Sequence, residues 1–363
     1  MVKRVIKVMQ ILTDKNIGGA GHQLLALCGG INRDEFRVNV VLPKGALLRP
    51  KFEEMKISCI EMPYLAERYF SPMAIRGLRM KMEEFKPDIV HTHAALSGRI
   101  AAKLYGRCKI VHTRHSVFEP SAWQKRLGLF IGAANNFLSD AIIAVSPAAR
   151  DNLLDLGTDN RKIHMIFNGM PPLREYSPGA KQALRKKYKI PPDAFVLAQI
   201  ARLTEVKGQG DVLDAARNWS PIILMAGEGD TQQYLESRIK DEGLNNVRLL
   251  GFIDNVEEIH NLMDAQISAS FGTEATSLAL VQGMSLGKPA IVTDYGGNPY
   301  VIKDGENGLV IPTRNPAALR SAVEKLRTNP TLYAKLSEGA RRIYKEHFTE
   351  TEMVTQTESL YRR

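Results

Sequence analysis

A series of short apolar runs, most of them separated by a segment of helical period, constrains this chain more than any other feature. In the first half the runs are Val5–Leu12, Val38–Leu42, Ser58–Met62, Asp88–His93, Lys109–His115, Ala141–Val145 and Lys162–Phe167. In the second half they are Phe195–Ile200, Ile222–Ala226, Val247–Leu250, Gln266–Ser270, Ala290–Val292 and Leu309–Ile311. Runs this short and this apolar read as strands buried on both faces, which is the setting of a parallel sheet covered by helices. Strands joined through single helices wind in one hand, so each half predicts a doubly wound sheet. Between the halves the composition changes to Pro171-Pro172, Ser177-Pro178-Gly179, a basic helix Lys181–Lys189 and Pro191-Pro192, the marks of a connection. The expected fold class is α/β, with two doubly wound, Rossmann-like domains facing across a cleft. The expected boundaries are 1–170 for the first domain, 171–194 for the linker, 195–347 for the second domain and 348–363 for a closing helix.

Composition narrows what such a fold does. A chain of 363 residues with 44% apolar residues can fill two cores. No run approaches the roughly 18 apolar residues of a membrane span, and the N-terminus opens on a strand rather than a signal-peptide core, so the reading expects a cytoplasmic protein. Cys28, Cys59 and Cys108 lie far apart without a Cys-x-x-Cys, and read as small buried hydrophobes in a reducing compartment. The net charge of +10 is one-sided: residues 1–175 carry 26 Lys and Arg against 16 Asp and Glu, whereas residues 176–363 carry 23 of each sign. That asymmetry suggests an anionic partner for the first half, or a merely solvated basic surface.

The residues that carry chemistry fall at strand ends. Gly18-Gly19-Ala20-Gly21 follows the first strand and opens a helix, a phosphate-facing arrangement. It is not Gly-x-Gly-x-x-Gly, and no acid closes Val38–Leu42, which disfavours a nicotinamide cofactor. Val90-His91-Thr92-His93 and Val111-His112-Thr113-Arg114-His115 close two further strands, and His93, the last residue of its strand, is the better candidate for the cleft. In the second half, Arg202 and Lys207 leave one strand end as a fork and a point charge that can together neutralise a diphosphate. The loops at Gly227 and at Gly251-Phe252 suit close approach to a ribose and base. Glu274 stands beside Thr276 and Ser277 at a helix start, where free N–H groups and the macrodipole favour anions. Each has a plainer reading as well: turns for the glycines, solvent-facing cations, a helix-start acid, a structural histidine. No Asp-x-Asp occurs and no further ligands accompany the histidines, so no metal site is expected.

Taken together, Gly18-Gly19, His91-Thr92-His93, Phe167-Asn168-Gly169, Ala201-Arg202 with Lys207-Gly208, Glu274, the run Gln282 to Pro289, Tyr295 to Asn298 and Gly308 to Pro312 resemble the retaining glycosyltransferases of family 4, with a GT-B fold. The resemblance implies a nucleoside diphosphate sugar as donor, no obligatory metal or other cofactor, and transfer with retention, the leaving phosphate helping to deprotonate the acceptor. It implies that Glu274 and His93 lie at the transferred sugar. Arg202, Lys207, Thr276, Ser277, Leu278 and the opposing Gly18-Gly19 loop would hold the diphosphate, with Gln282, Phe252 and Gly227 at the nucleoside. It also implies a terminal helix, Phe348–Tyr361, that crosses back to the first domain. The departure is Gln282, which stands where the family's Glu-x7-Glu motif has its second acid. A glutamine still accepts a ribose hydrogen bond but without charge, so weaker donor binding is expected.

The acceptor is expected to be an anionic or lipid-linked cell-envelope glycan. Trp123, Leu127, Phe130, Ile131, Ala134, Phe137 and Leu138 form an apolar stripe on a helix over 121–138, beside Lys125 and Arg126. Packing on the sheet is the expected role of this helix, with contact to the inner face of a membrane as the alternative. Two other functions fit parts of the chain: a nucleotide-sugar epimerase of the same fold, and a basic nucleic-acid-binding protein. The latter lacks basic residues interleaved with exposed aromatics, so no nucleic acid is expected as partner.

Overall fold

A computed structural model describes residues 4–65, 70–117 and 128–363. In chain order its elements begin β1 Ile6–Leu12, α1 Gly19–Gly30, β2 Phe36–Pro43, α2 Arg49–Glu54, β3 Ser58–Met62, α3 Pro72–Phe85, β4 Ile89–His93 and α4 Leu96–Tyr105. They continue with β5 Lys109–Arg114, α5 Gly128–Leu138, β6 Ala141–Ala144, α6 Pro147–Asp155, β7 Ile163–Met165, α7 Pro178–Lys187, β8 Val196–Ile200, α8 Gln209–Ala216, β9 Ile222–Ala226 and α9 Gln232–Asp241. The remainder is β10 Val247–Leu249, α10 Val256–Leu262, β11 Ala265–Ser268, α11 Leu278–Ser285, β12 Ala290–Thr293, α12 Asn298–Val301, β13 Gly308–Ile311, α13 Pro316–Arg327, α14 Pro330–His347 and α15 Glu350–Arg362.

The chain divides into two compact units, Met1–Gly169 with Glu350–Arg363, and Met170–Thr349. The first holds a seven-stranded sheet in the order β3-β2-β1-β4-β5-β6-β7, the second a six-stranded sheet in the order β10-β9-β8-β11-β12-β13. Every strand pair in both sheets is parallel. The strands form for the reason their composition predicts: β4, β9 and β12 are buried along their whole length, as a sheet covered on both faces requires. Helix starts are equally local. Ser71, Ser146, Ser177, Asn315 and Asn329 each accept a hydrogen bond from the N–H three residues on, and each is followed by a proline whose fixed φ suits the first helical position.

Two expectations are revised. Residues 171–194 are built into the second unit rather than strung beside it. Leu184 and Tyr188 pack against a core that includes Ile190, Val196 and Ile259, and the Tyr176 N–H donates to Asn261 Oδ1 at 2.8 Å. The apolar helix packs only part of its stripe: within α5, Ile131 and Leu138 are half-buried, whereas Phe130 is 75% and Phe137 66% exposed. The reason is Gly132, whose missing Cβ would stand 2.2 Å from the Gly157 carbonyl oxygen, so the small-residue face of α5 meets that loop and the rings turn outward. Trp123, Lys125, Arg126 and Leu127 lie outside the described residues.

The terminal helix α15 belongs to the first unit. Met353, Val354, Leu360 and Tyr361 are buried, and α15 packs on α1. The Asn32 N–H donates to Glu358 Oε1 at 2.7 Å, and Lys109 Nζ donates to the Leu360 carbonyl at 2.6 Å. Burying four such side chains contributes on the order of 5 kcal/mol or more. A chain ending at Thr349 is therefore expected to lose amide-exchange protection in α1 and β1 while keeping it in β8, β9 and β11. Unchanged protection in α1 would contradict the role given to α15.

Candidate active site

In the second sheet the strand order reverses at β8, which lies between β9 and β11. The loops after β8 and β11 therefore flank the crevice that such sheets leave at their carboxyl edge. Lys207 stands on the first loop and Glu274 on the second. Lys207 Nζ lies 2.7 Å from Glu274 Oε2 and donates to the Thr273 carbonyl at 3.1 Å. Ser270 Oγ donates to the same carboxylate oxygen at 3.1 Å, and the Phe271 N–H donates to the Val206 carbonyl at 2.9 Å, tying the loops together. Glu274 is 8% exposed. A carboxylate buried that far needs a partner, and the lysine supplies it. Glu274 Oε1 makes no hydrogen bond among the described residues, and neither does the guanidinium of the exposed Arg202. One carboxylate oxygen and one five-donor fork are thus left for a ligand.

The other candidates of this unit lie on the same edge. Ser277 caps α11, Thr276 is buried just before it, and Leu278 is the first helical residue, so the first N–H groups of α11 point back toward the loop. Gln282 sits one turn in, half-buried, its side chain without a hydrogen bond among the described residues. Gly227 is a glycine for an internal reason: at φ 139° its missing Cβ would lie 2.1 Å from the Ala201 carbonyl oxygen. Its N–H donates to the Gly251 carbonyl at 2.8 Å, and Phe252 beyond it is 53% exposed. A cavity of about 230 Å³ lined by Glu205, Gly208, Gln209, Tyr234, Phe271 and Arg314 lies beside the loops after β8 and β11. It opens on the layer where α8 packs with α9 and α13, whereas α11 packs with α14.

In the first unit the order reverses at β1, between β2 and β4. Gly18 precedes α1 with an extended backbone, and Gly19, exposed, is its first residue. The end of β4 does not expose His93. The ring is 1% exposed, with Nδ1 2.8 Å from His115 Nε2 and Nε2 3.0 Å from Gln10 Oε1. β1 and β5 flank β4, so the ring at its end is covered by side chains from both, and the half-buried His115 stands further out. His91 bonds the Tyr361 hydroxyl at 2.6 Å and Thr113 Oγ1 at 2.7 Å. Gln10 and Tyr361 escaped the sequence reading. Tyr361 is 270 positions from His91 and carries no local signal, whereas the doubled His-Thr pattern on two strands did point to Thr113 and His115. Among the described residues no group of three or more His, Cys, Asp or Glu is placed to hold a metal ion, and no helix is long and apolar enough to cross a membrane.

Two family models match the chain: Glycosyltransferase Family 4 over residues 17–173 and Glycosyl transferases group 1 over residues 180–343. EpsD of Bacillus subtilis is 27% identical over 83% of this chain and 86% of its own length. The N-acetyl-alpha-D-glucosaminyl L-malate synthase of Bacillus anthracis is 26% identical over 96% of this chain and 91% of its own. Among solved structures, HepE of Anabaena in complex with UDP superimposes with a TM-score of 0.85 at 22% identity, over 99% of this chain and 100% of that one. Sucrose-phosphate synthase of Thermosynechococcus elongatus gives 0.79 at 17% identity over 98% of each.

The histidines predict a pH dependence. Burial, with added repulsion from His115, pushes His91 down to about 3; burial alone takes His115 to about 4, and burial above all holds His93 and His112 well below the ordinary range. All four are neutral in the fold, while the unfolded chain protonates near 6.5. Below that value the unfolded state binds more protons, so stability falls as pH drops from about 6.5 toward 4, by up to about 1.4 kcal/mol per pH unit for each ring. The unfolding temperature of the full chain should be level above pH 7 and decline steeply below 6.5. A curve flat to pH 5 would contradict the neutral assignment.

Proposed function

We propose, from the premise that this chain belongs to the GT-B glycosyltransferases, that it moves a sugar from a nucleoside diphosphate donor to a cell-envelope glycan or lipid-linked acceptor with retention at the anomeric carbon. The observation that carries this reading is the arrangement of Glu274, Lys207 and Arg202 on two loops beside one strand-order reversal. In the proposed reaction the bond between the anomeric carbon and the diphosphate oxygen breaks, and an acceptor oxygen bonds to that carbon on the same face. The acceptor's proton passes to the departing phosphate. Arg202 and Lys207 neutralise the charge that builds on the diphosphate, the role that a metal ion plays elsewhere, and the backbone N–H groups of Thr276, Ser277 and Leu278, leading into α11, add their dipoles. Glu274 Oε1 takes hydroxyls of the donor sugar and stabilises positive charge near the reacting carbon. Gln282 takes the ribose, and Phe252 and the Gly227 loop flank the base.

The UDP and UDP-glucose complexes of HepE make UDP-glucose the first donor to try. The names of two relatives, the malate synthase above and D-rhamnosyltransferase WbpZ of Pseudomonas aeruginosa, support a glycosyl donor in general. An epimerase or a nucleic-acid-binding protein is not favoured by these comparisons. Membrane contact is proposed through the basic first half, with Phe130 and Phe137 of α5 turned outward and Lys103 set 4.5 Å over the Phe137 ring.

Titration of UDP-glucose, UDP-N-acetylglucosamine and GDP-mannose should find one donor that binds. Lys207→Ala should weaken it about tenfold, the scale of one lost charge-assisted contact, and Gln282→Glu should tighten it. Glu274→Gln should leave binding within a few-fold and lower the turnover of that donor by about a hundredfold. Proton NMR of slow donor hydrolysis should show the donor's own anomer released first. The opposite anomer would refute retention, and full turnover by Glu274→Gln would remove Glu274 from the reaction. Flotation with anionic and neutral vesicles tests the membrane contact, which equal recovery in both, or none in either, would overturn.

A further inference from the structure

The buried polar groups around β1, β4 and β5 form one hydrogen-bonded series that runs through the terminal helix. Thr113 Oγ1 lies 2.7 Å from His91 Nε2, and His91 Nδ1 lies 2.6 Å from the Tyr361 hydroxyl. Gln10 Nε2 donates to that hydroxyl at 2.9 Å, and Gln10 Oε1 accepts from His93 Nε2 at 3.0 Å. His93 Nδ1 lies 2.8 Å from His115 Nε2. His115 Nδ1, on a half-buried ring, has no hydrogen-bond partner among the described residues.

A neutral imidazole carries one N–H and one bare nitrogen, so each hydrogen bond in such a series constrains the next. The Gln10 amide faces His93 with its oxygen, which places the His93 proton on Nε2 and leaves Nδ1 bare. His115 must then donate from Nε2, and its open Nδ1 is bare. In the other direction, Tyr361 receives the Gln10 N–H and directs its own proton to His91 Nδ1. His91 therefore carries its proton on Nε2, toward Thr113. One amide and one hydroxyl, neither on a histidine-bearing strand, thus determine the tautomer of three rings.

We propose that Gln10 and Tyr361 are positioning residues that hold His91, His93 and His115 in one shared tautomer, protonated on Nε2, so that His115 presents Nδ1 as a hydrogen-bond acceptor for a ligand hydroxyl. The ligand class is a hydroxyl-bearing substrate of the transfer reaction, and that clause alone rests on the function proposed above. The link runs through the terminal helix: Tyr361 is buried, its ring centroid 5.9 Å from that of Phe36, and its hydroxyl joins the Gln10 and His91 branches.

The test is read from the rings themselves. Long-range nitrogen–proton correlation spectra of the full chain, labelled with ¹⁵N-histidine, distinguish the two tautomers without any substrate. Three rings protonated on Nε2 are expected for His91, His93 and His115. Tyr361→Phe keeps the ring packing but removes the hydroxyl, and should release His91 into a mixture of tautomers. Gln10→Glu offers only acceptors, so Tyr361 must turn its proton to residue 10 and accept from His91, which should then carry its proton on Nδ1 while His93 and His115 stay unchanged. Mixed tautomers in the parent protein, all three on Nδ1, or no response of His91 in either variant would overturn the proposal. With a donor in hand, Tyr361→Phe should lower kcat about tenfold at unchanged donor KM, the scale of one hydrogen bond. A loss confined to kcat with His91 still on Nε2 would place Tyr361 elsewhere in the reaction and also overturn the proposal.

Discussion

Parallel pairing is the constraint on which everything else depends. Strands that all run one way, joined by right-handed crossovers, bring every strand's carboxyl end to one edge of its sheet, and a reversal of strand order opens a gap between two of those ends. The chain meets this constraint twice, with reversals at β1 and β8. Lys207 and Glu274 meet because the loops after β8 and β11 border the second gap, although 67 positions separate them. Gln10 and His93 meet across the first because β1 pairs with β4. Neither pair reflects sequence proximity.

The two gaps are treated in opposite electrostatic ways. In the second unit, charge is kept and paired: the ammonium of Lys207 meets a carboxylate held also by Ser270 and spanned by a backbone cross-link. A diphosphate that drew Lys207 toward itself would leave Glu274 seeking new donors, and sugar hydroxyls are of that kind, so binding of the two parts of one donor would be mutually reinforcing. In the first unit, charge is removed: burial makes four histidines neutral, and neutral rings are specified by which nitrogen bears the proton rather than by how many protons they bear.

What was legible in the residues was what is local. Strands such as Ser58–Met62 and Ile222–Ala226 fall where their apolar runs do, and five helices open on serine–proline or asparagine–proline pairs, a signal as local as the runs. Motif order also placed Arg202, Lys207, Glu274 and the start of α11 on one sheet edge. What was not legible is what the third dimension adds. The burial of His93 depends on Gln10 and His115 from neighbouring strands, and the outward turn of Phe130 and Phe137 depends on one glycine meeting a distant loop. The glycine at 227 was anticipated, but for a ligand's approach; a neighbouring carbonyl is the reason it is needed.

The placement of α15 has a consequence for how the protein is made. The second unit is one continuous stretch, Met170–Thr349, whereas the first is completed only by residues from the far side of it. During synthesis, which proceeds from the N-terminus, the second unit has all its parts before the first does. Until Tyr361 leaves the ribosome, the Gln10 amide and His91 lack a shared partner and the apolar face of α1 lacks its cover. The half made first is therefore the half finished last, and a nascent chain stalled before residue 350 would expose that face to chaperones and proteases.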